Sequence, residues 1–156
     1  MRYTRPILLP STNGVSAVRN FQILDGCKVD PASDSIELFS TTEDDDRPRL
    51  AMRREGAYVT ISASYGPLEI ALRPRYEDLV RTLGRLTAVD GLHTTRQVGT
   101  DQAYLAIGLT SSDHLLLRPT IVADATGHFS LNVEITTQAR QSLYNWLQIS
   151  SVASAR

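Results

Sequence analysis

The chain has 156 residues, of which 42% are hydrophobic, and its formal net charge is −1. This length suits one compact domain, and the balanced charge excludes both a disordered acidic protein and a strongly basic one. A single cysteine, Cys27, excludes an intrachain disulfide framework. Because no apolar run reaches membrane-spanning length, we predict a cytoplasmic protein that does not enter a membrane.

The charges are unevenly distributed along the chain. Residues 25–46 are predominantly acidic, whereas residues 47–96 hold nine arginines against five acidic residues. Lys28 is the only lysine, so nearly all positive charge lies on guanidinium groups, which bind phosphate or carboxylate in a planar, bidentate manner. The base composition of the genome is the alternative explanation for this preference for arginine.

The first predicted element is an N-terminal arm over residues 1–14, with an apolar patch at residues 7–9 between two prolines. Such a patch is too apolar for an idle tail, so we expect the arm to dock on this chain or on a second copy, as in a homo-oligomer. Residues 15–24 predict a strand that is covered on both faces. Asp25-Gly26 predicts a tight turn, and residues 35–40 predict a short strand.

The most acidic stretch comes next, where the four consecutive acids at residues 43–46 precede Arg47 and Pro48. Mutual repulsion and hydration of these carboxylates favour a solvated loop. A metal site is the alternative, but the stretch lacks the glycine and the spaced oxygen ligands of a calcium loop. We therefore predict no metal and no cofactor.

A meander and a helix follow the acidic loop. Residues 49–53, 58–65 and 68–72 alternate between apolar and polar positions, so each predicted strand has one buried and one solvated face. Pro74 suits the first turn of a helix, because no N–H is needed there. The apolar stripe of this predicted helix consists of Tyr76, Leu79, Val80, Leu83 and Leu86.

The second half of the chain repeats this plan. The predicted strands cover residues 93–98, 103–109, 115–122 and 129–135. Pro119 interrupts the third of them and therefore belongs at a sheet edge or at a bulge, because it cannot donate to the ladder. Thr136 or Thr137 can cap a last helix. One side of that helix is formed by Ala139, Leu143, Trp146 and Leu147.

These elements predict an α+β fold of two antiparallel sheets, in which a β-β-β-β-α unit occurs twice. Each sheet is expected to bury one face against a helix and to leave the other face free. The domain would cover residues 15–150 in two similar halves, 15–88 and 92–150, followed by a frayed tail over residues 151–156. A chance likeness of two amphipathic strand-helix units is the alternative to a genuine internal repeat.

The stretch Gly127-His-Phe-Ser-Leu-Asn, followed by the amphipathic residues 138–147, resembles the Whirly and PC4-like group of single-stranded nucleic-acid-binding proteins. The resemblance lies in the order of the elements over about residues 15–149, and the Lys-Gly-Lys-Ala motif of Whirly proteins is absent. It implies a Whirly/PC4-like fold and a non-enzymatic protein that binds single-stranded DNA or RNA, with a role in transcription or nucleic-acid maintenance.

Binding of a single strand needs cations for the phosphates and flat side chains on which bases stack. Arginines and tyrosines on the polar faces of the predicted strands supply both, although an ordinary solvated sheet face is the alternative. The candidate nucleic-acid-binding residues are Arg49, Arg53, Tyr58, Arg73, Arg96, Tyr104 and Arg118. Arg54 and Arg75 are expected at a turn and on the helix surface.

The sequence contains no recognisable catalytic motif, so we predict that the protein is not an enzyme. Ser62-Ala-Ser-Tyr-Gly66 lacks the leading glycine of a nucleophile elbow, and the histidines do not have metal-ligand spacing. The alternative function is protein interaction or assembly, as in a chaperone-like adaptor that uses the apolar arm and an exposed sheet. Small-molecule binding between a sheet and a helix ranks third.

Overall fold

The computed structural model describes residues 21–42, 48–89 and 91–149, without the side chains of residues 91–95. Within these ranges the protein is α+β, with two largely antiparallel sheets and two helices. The strands are β1 (Gln22–Leu24), β2 (Gly26–Asp30), β3 (Ser35–Phe39), β4 (Pro48–Glu55), β5 (Tyr58–Tyr65), β6 (Leu68–Leu72), β7 (Gly91–Gly99), β8 (Ala103–Leu109), β9 (Leu115–Asp124), β10 (Gly127–Ser130) and β11 (Val133–Ile135). The helices are α1 (Tyr76–Leu83) and α2 (Thr137–Leu147). The predicted arm, the four consecutive acids and the predicted tail lie outside the described residues.

Strands β2 to β6 form the meander sheet, in which every strand is antiparallel to its neighbour in sequence. The predicted alternation is confirmed, since Leu50, Ile61 and Ile70 point inward and are buried. The residues that precede and follow each of them on its own strand point outward. Gly56 and Gly66 join β4 to β5 and β5 to β6 with φ angles of +64° and +60°, a region that favours glycine.

The other six strands form the mixed sheet, in the order β1-β11-β9-β8-β7, with β10 paired to β9 as well. β1 and β11 are parallel, with Gln22 opposite Val133 and Leu24 opposite Ile135. β1 therefore joins the sheet that the second half of the chain builds, although it precedes the meander sheet in sequence. Residues 15–20 of the strand predicted over residues 15–24 lie outside the described residues.

The tight turn predicted at Asp25-Gly26 is wrong. The chain passes there from the mixed sheet into the meander sheet, because β1 pairs with β11 and β2 pairs with β3. The Asp25 carboxylate accepts hydrogen bonds from the backbone N–H and the hydroxyl of Thr41, both at 2.8 Å. These two bonds lower the pKa of Asp25 and attach the crossing point to the chain just after β3.

Pro119 occupies neither of the two predicted positions. It lies within β9 opposite Leu105 of β8, and on its other side the partner strand is broken at residues 131–132, between β10 and β11. Proline has no N–H to donate to a neighbouring strand. Because the neighbouring strand is broken here, no ladder carbonyl is left without a donor. The Leu131 N–H still donates to the Pro119 carbonyl at 3.2 Å. The single strand predicted over residues 129–135 is therefore two strands.

Both helices occur where the sequence predicts them, but their ends differ. α1 ends at Leu83 with Gly84 as its C-cap, so Leu86 lies beyond it. Thr136 is the N-cap residue of α2, yet its side chain makes no capping hydrogen bond. Thr137 Oγ1 instead donates to the Ser112 carbonyl at 2.9 Å, which joins α2 to the turn before β9. Neither described helix is long and apolar enough to cross a membrane.

Each helix contacts the sheet that the other half of the chain mainly builds. α2 follows the mixed sheet in sequence but packs against β2 and β3 of the meander sheet, and α1 contacts β7 of the mixed sheet. Two tyrosines join the helices: the Tyr76 hydroxyl donates to the Leu147 carbonyl at 2.5 Å, and the Tyr144 hydroxyl donates to the Leu83 carbonyl at 2.8 Å. Each half of the chain thus covers part of the other.

One core cluster contains inward-facing side chains of both sheets and both helices. The mixed sheet also buries side chains on its other, outer face, where Leu116 is fully buried, Thr120 is 2% exposed and Ala106 is 8% exposed. The prediction that each sheet leaves one face free is therefore wrong for the mixed sheet. Three consecutive leucines at residues 115–117 place apolar side chains on both of its faces, as in a strand that is covered on both sides.

Candidate nucleic-acid interface

The seven predicted binding residues lie on two different sheets. Four of them meet on one surface, the outward-facing side chains of β2 to β6 and of Arg73 directly after β6, which we call the outer face of the meander sheet. These four are Arg49, Arg53, Tyr58 and Arg73. The remaining three, Arg96, Tyr104 and Arg118, belong to β7, β8 and β9 of the mixed sheet.

The centre of the outer face carries small side chains. Ala51 of β4, Ser62 of β5 and Ala71 of β6 lie side by side across the three strands. The Ser62 hydroxyl donates to the carboxylate of Glu69. Glu37 of β3 lies beside Ala51 in the same row, and the other charged side chains stand toward the two ends of the strands.

One end of the outer face carries the Tyr58 cluster, which consists of Arg53, Glu55, Tyr58, Arg73 and Arg75. Tyr58 lies opposite Glu55 across the β4–β5 pair and forms a β-bridge with Arg75. The guanidinium carbons of Arg73 and Arg75 lie 4.4 Å and 5.7 Å from the centroid of the Tyr58 ring, within the range of cation–π attraction. The tyrosine therefore holds two arginines near one another.

Glu55 is the acidic member of the cluster. Its Oε2 accepts hydrogen bonds from Arg53 Nη2 at 2.5 Å and Nε at 3.2 Å, and its Oε1 lies 3.7 Å from Arg73 Nε. The hydrogen bonds from Arg53, with the charges of both arginines, lower the pKa of Glu55. Asp78, in the first turn of α1, is not a member of the cluster and forms an ion pair with Arg81 at 2.6 Å. Three guanidinium groups and one carboxylate leave the cluster with a net positive charge.

The opposite end of the outer face is electrically balanced and carries an aromatic ring. Arg49 Nη1 lies 3.2 Å from Glu37 Oε2, so these two charges compensate each other. The Phe39 ring lies against Gly26, where a Cβ would come within 2.4 Å of a ring carbon, so only glycine allows this approach. Glu37, Phe39, Ser40 and Arg49 line a shallow hollow of about 200 Å³.

The candidate residues of the mixed sheet are arranged differently. Arg118 Nε donates to Asn132 Oδ1 at 2.6 Å, and its guanidinium carbon lies 5.9 Å from the centroid of the Phe21 ring. Arg96 and Tyr104 are half-buried. In the described part of the mixed sheet, these three residues do not form a cluster of exposed cations comparable to the Tyr58 cluster.

The histidines and the cysteine make other contacts. His114 Nδ1 lies 2.6 Å from Glu134 Oε2, and His128 is exposed. Burial raises the pKa of the Cys27 thiol, which lies beside the Ser142 side chain of α2. Among the described residues, no group of three or more His, Cys, Asp or Glu is placed to hold a metal ion.

Sequence reasoning missed Arg75, Glu55 and Phe39. Arg75 is the N-cap residue of α1 and continues the pairing of β5 with β6. The register of these two strands, extended beyond Leu72, would have placed Arg75 opposite Tyr58. Glu55 follows Arg53 by two residues, which places both on one face of β4. The contact of Phe39 with Gly26 had no signal, because the sequence suggests a turn at Gly26.

Comparison of the chain with protein-family models, with curated proteins and with solved structures found no match. Its function is therefore inferred from the chemistry and geometry of the outer face of the meander sheet.

Proposed function

We propose that the protein is non-enzymatic and binds single-stranded DNA or RNA on the outer face of the meander sheet. The observation that carries this proposal is the Tyr58 cluster, where three guanidinium groups meet one carboxylate on an open sheet face. Cations that neutralise phosphates release counterions, and this release drives sequence-independent binding. A cytoplasmic location, a role in transcription and a doubled fold like that of the Whirly and PC4-like group belong to the same proposal.

The dimensions of the outer face suit an extended strand. Arg49 and Glu55 lie six residues apart on β4, which corresponds to about 20 Å along the strand. A single strand along this line has phosphates at the Tyr58 cluster, small side chains beneath its middle and the Phe39 ring at the far end. Because Arg73 and Arg75 already contact the Tyr58 ring, we expect a base to stack on Phe39 instead.

The test is the binding of a fluorescently labelled oligonucleotide of about 20 nucleotides, measured by anisotropy at several salt concentrations. Neutralisation of about two to three phosphates predicts that affinity falls roughly tenfold between about 50 mM and about 200 mM salt. The double substitution Arg53→Glu with Arg73→Glu is expected to lower the affinity at least about tenfold, because it inverts the charge of the cluster.

Arg85→Glu is the control, since Arg85 is exposed beyond the end of α1 and its substitution reverses one positive charge outside the cluster, half of the change that the double variant makes. We expect it to retain most of the affinity. Arg49→Glu should have an intermediate effect, because Glu37 already compensates Arg49. No change in anisotropy at low salt, or an equal loss in Arg85→Glu and the double variant, would contradict the proposal.

The second candidate function is assembly with another copy of this chain, and an apolar opening between the two sheets favours it. Tyr65 and Leu131 line a hollow of about 180 Å³ there. Leu68 lies beside Tyr65 across the β5–β6 pair and is 47% exposed, and Phe129, which is 39% exposed, lies two residues before Leu131. Apolar side chains exposed together commonly mark an interface between proteins.

Sedimentation velocity tests this second function. The wild-type chain is expected to sediment as an oligomer, and Leu68→Glu with Phe129→Glu is expected to convert it to a monomer, because charges at the centre of an apolar interface prevent burial. A wild-type chain that stays monomeric at high concentration would exclude assembly through this surface.

A further inference from the structure

We propose that Arg53, Arg73 and Arg75 form a phosphate-binding site around Tyr58, and that the Glu55 carboxylate occupies the anion position of this site until a ligand phosphate displaces it. This inference rests on the proposed function and refines it, because it identifies phosphate as the group that the Tyr58 cluster binds. Glu55 then acts as an internal competitor for the ligand.

The two oxygen atoms of Glu55 face two different guanidinium groups. Oε2 accepts the hydrogen bonds of Arg53, and Oε1 lies 3.7 Å from Arg73 Nε. A phosphate group offers the same pair of oxygen atoms and further oxygens for a third guanidinium group, and arginine binds phosphate and carboxylate through the same planar edge. A phosphate in the position of the Glu55 carboxylate would therefore accept hydrogen bonds from more of the guanidinium N–H groups of the cluster.

The arginines are held in place without being enclosed. Arg73 and Arg75 lie over the Tyr58 ring, which fixes their guanidinium groups and leaves N–H edges for an anion. The side chains of Arg53 and Arg73 are 56% and 59% exposed, and that of Glu55 is 30% exposed. Glu55 is the last residue of β4 and precedes the hairpin turn at Gly56, so its carboxylate lies at the end of the strand.

The other end of the outer face supplies an internal comparison. Glu37 accepts a hydrogen bond from Arg49, and this ion pair contains one guanidinium group and one carboxylate. Removal of the Glu37 charge frees a single arginine, which is a weak anion site. Removal of the Glu55 charge frees two arginines, Arg53 and Arg73, which share the Tyr58 cluster with Arg75. The two glutamates are therefore matched in chemistry and exposure, but they differ in the number of arginines that they compensate.

The experiment is a titration with tripolyphosphate of the wild-type chain and of Glu55→Gln and Glu37→Gln, followed by the ¹⁵Nε resonances of Arg53 and Arg73. We expect Glu55→Gln to bind tripolyphosphate about fivefold more tightly, because one negative charge about 4 Å from the ligand is removed. Glu37→Gln is expected to bind within about twofold of the wild type. The same ratios should appear with the oligonucleotide.

The outcomes separate this inference from the proposed function. If tripolyphosphate does not shift these resonances, or if Glu55→Gln binds no more tightly than Glu37→Gln, the inference is wrong even where the oligonucleotide binds through Arg53. If Glu55→Gln tightens tripolyphosphate binding and no variant binds the oligonucleotide, the phosphate site stands and the nucleic-acid function fails.

Discussion

The outer faces of the two sheets differ in what surrounds their arginines. On the meander sheet, Arg49 and Arg53 project into solvent, and the side chains between them are small. On the mixed sheet, the corresponding face buries Leu116 completely, and Arg118 is engaged with Asn132. An outward-facing arginine is therefore available to a ligand on the first sheet and holds neighbouring strands together on the second.

The largest expected effect concerns Leu116. We expect Leu116→Ala to lower the free energy of unfolding by about 2–5 kcal/mol, as for a leucine of the central core, because its side chain is fully buried on the outer face of the mixed sheet. Urea denaturation followed by circular dichroism measures this change. Ser64→Ala on the outer face of the meander sheet is the control and should stay within about 0.5 kcal/mol. Equal small losses would show that both outer faces are solvated.

The next effect concerns Arg118. Arg118→Ala removes the 2.6 Å hydrogen bond to Asn132 and leaves a half-buried amide oxygen without this donor, so we expect a loss of about 1–3 kcal/mol in the free energy of unfolding. If Arg118 instead binds nucleic acid, the substitution would weaken oligonucleotide binding and leave the denaturation midpoint nearly unchanged.

A smaller effect is expected for Arg49. Its ion pair with Glu37 is exposed to solvent, so Arg49→Gln should change the free energy of unfolding by less than about 0.5 kcal/mol. The same urea titration measures it. A loss as large as that in Arg118→Ala would remove the distinction between a face that is available for binding and a face that supports the fold.

The smallest effect concerns the pH dependence of Glu55, whose pKa lies below its ordinary value of 4.5 because Arg53 and Arg73 favour the charged form. A lowered pKa stabilises the folded chain above about pH 5, and this contribution disappears as the pH falls through the folded-state pKa. Wild type should therefore exceed Glu55→Gln slightly in stability at pH 6, and the difference should vanish in acid. A difference that does not shrink as the pH falls would contradict this assignment.

The regular part of the fold could be predicted from the sequence. Strands β3 to β6 and both helices follow from periodicity, because each of these elements has one apolar side that packs against one core. Strand β2 does not, because the sequence suggests a turn at its start. The same alternation predicts that the candidate residues Arg49 and Arg53 share one face of their strand. Periodicity shows the direction of a side chain, and this was sufficient wherever the other side of the element is solvated.

The remaining features depend on contacts between residues that are distant in sequence. The pairing of β1 with β11 brings Gln22 beside Val133, and no local pattern encodes such a partner. Pro119 is accommodated by a break in a strand ten or more residues later, which the rule for an isolated proline does not foresee. The arrangement of Arg75 around Tyr58 likewise requires the register of two strands and the start of a helix.

The exchange of elements between the halves bears on how the chain can be divided. β1 completes a sheet formed after residue 90, while α2 closes the sheet formed before it. A peptide ending after α1 would lack α2, which packs against β2 and β3. A peptide beginning at β7 would lack β1, the parallel strand at the edge of the mixed sheet. Neither piece is self-sufficient, so loss of structure in one sheet exposes apolar surface in the other, and the described residues are expected to unfold as a single cooperative unit.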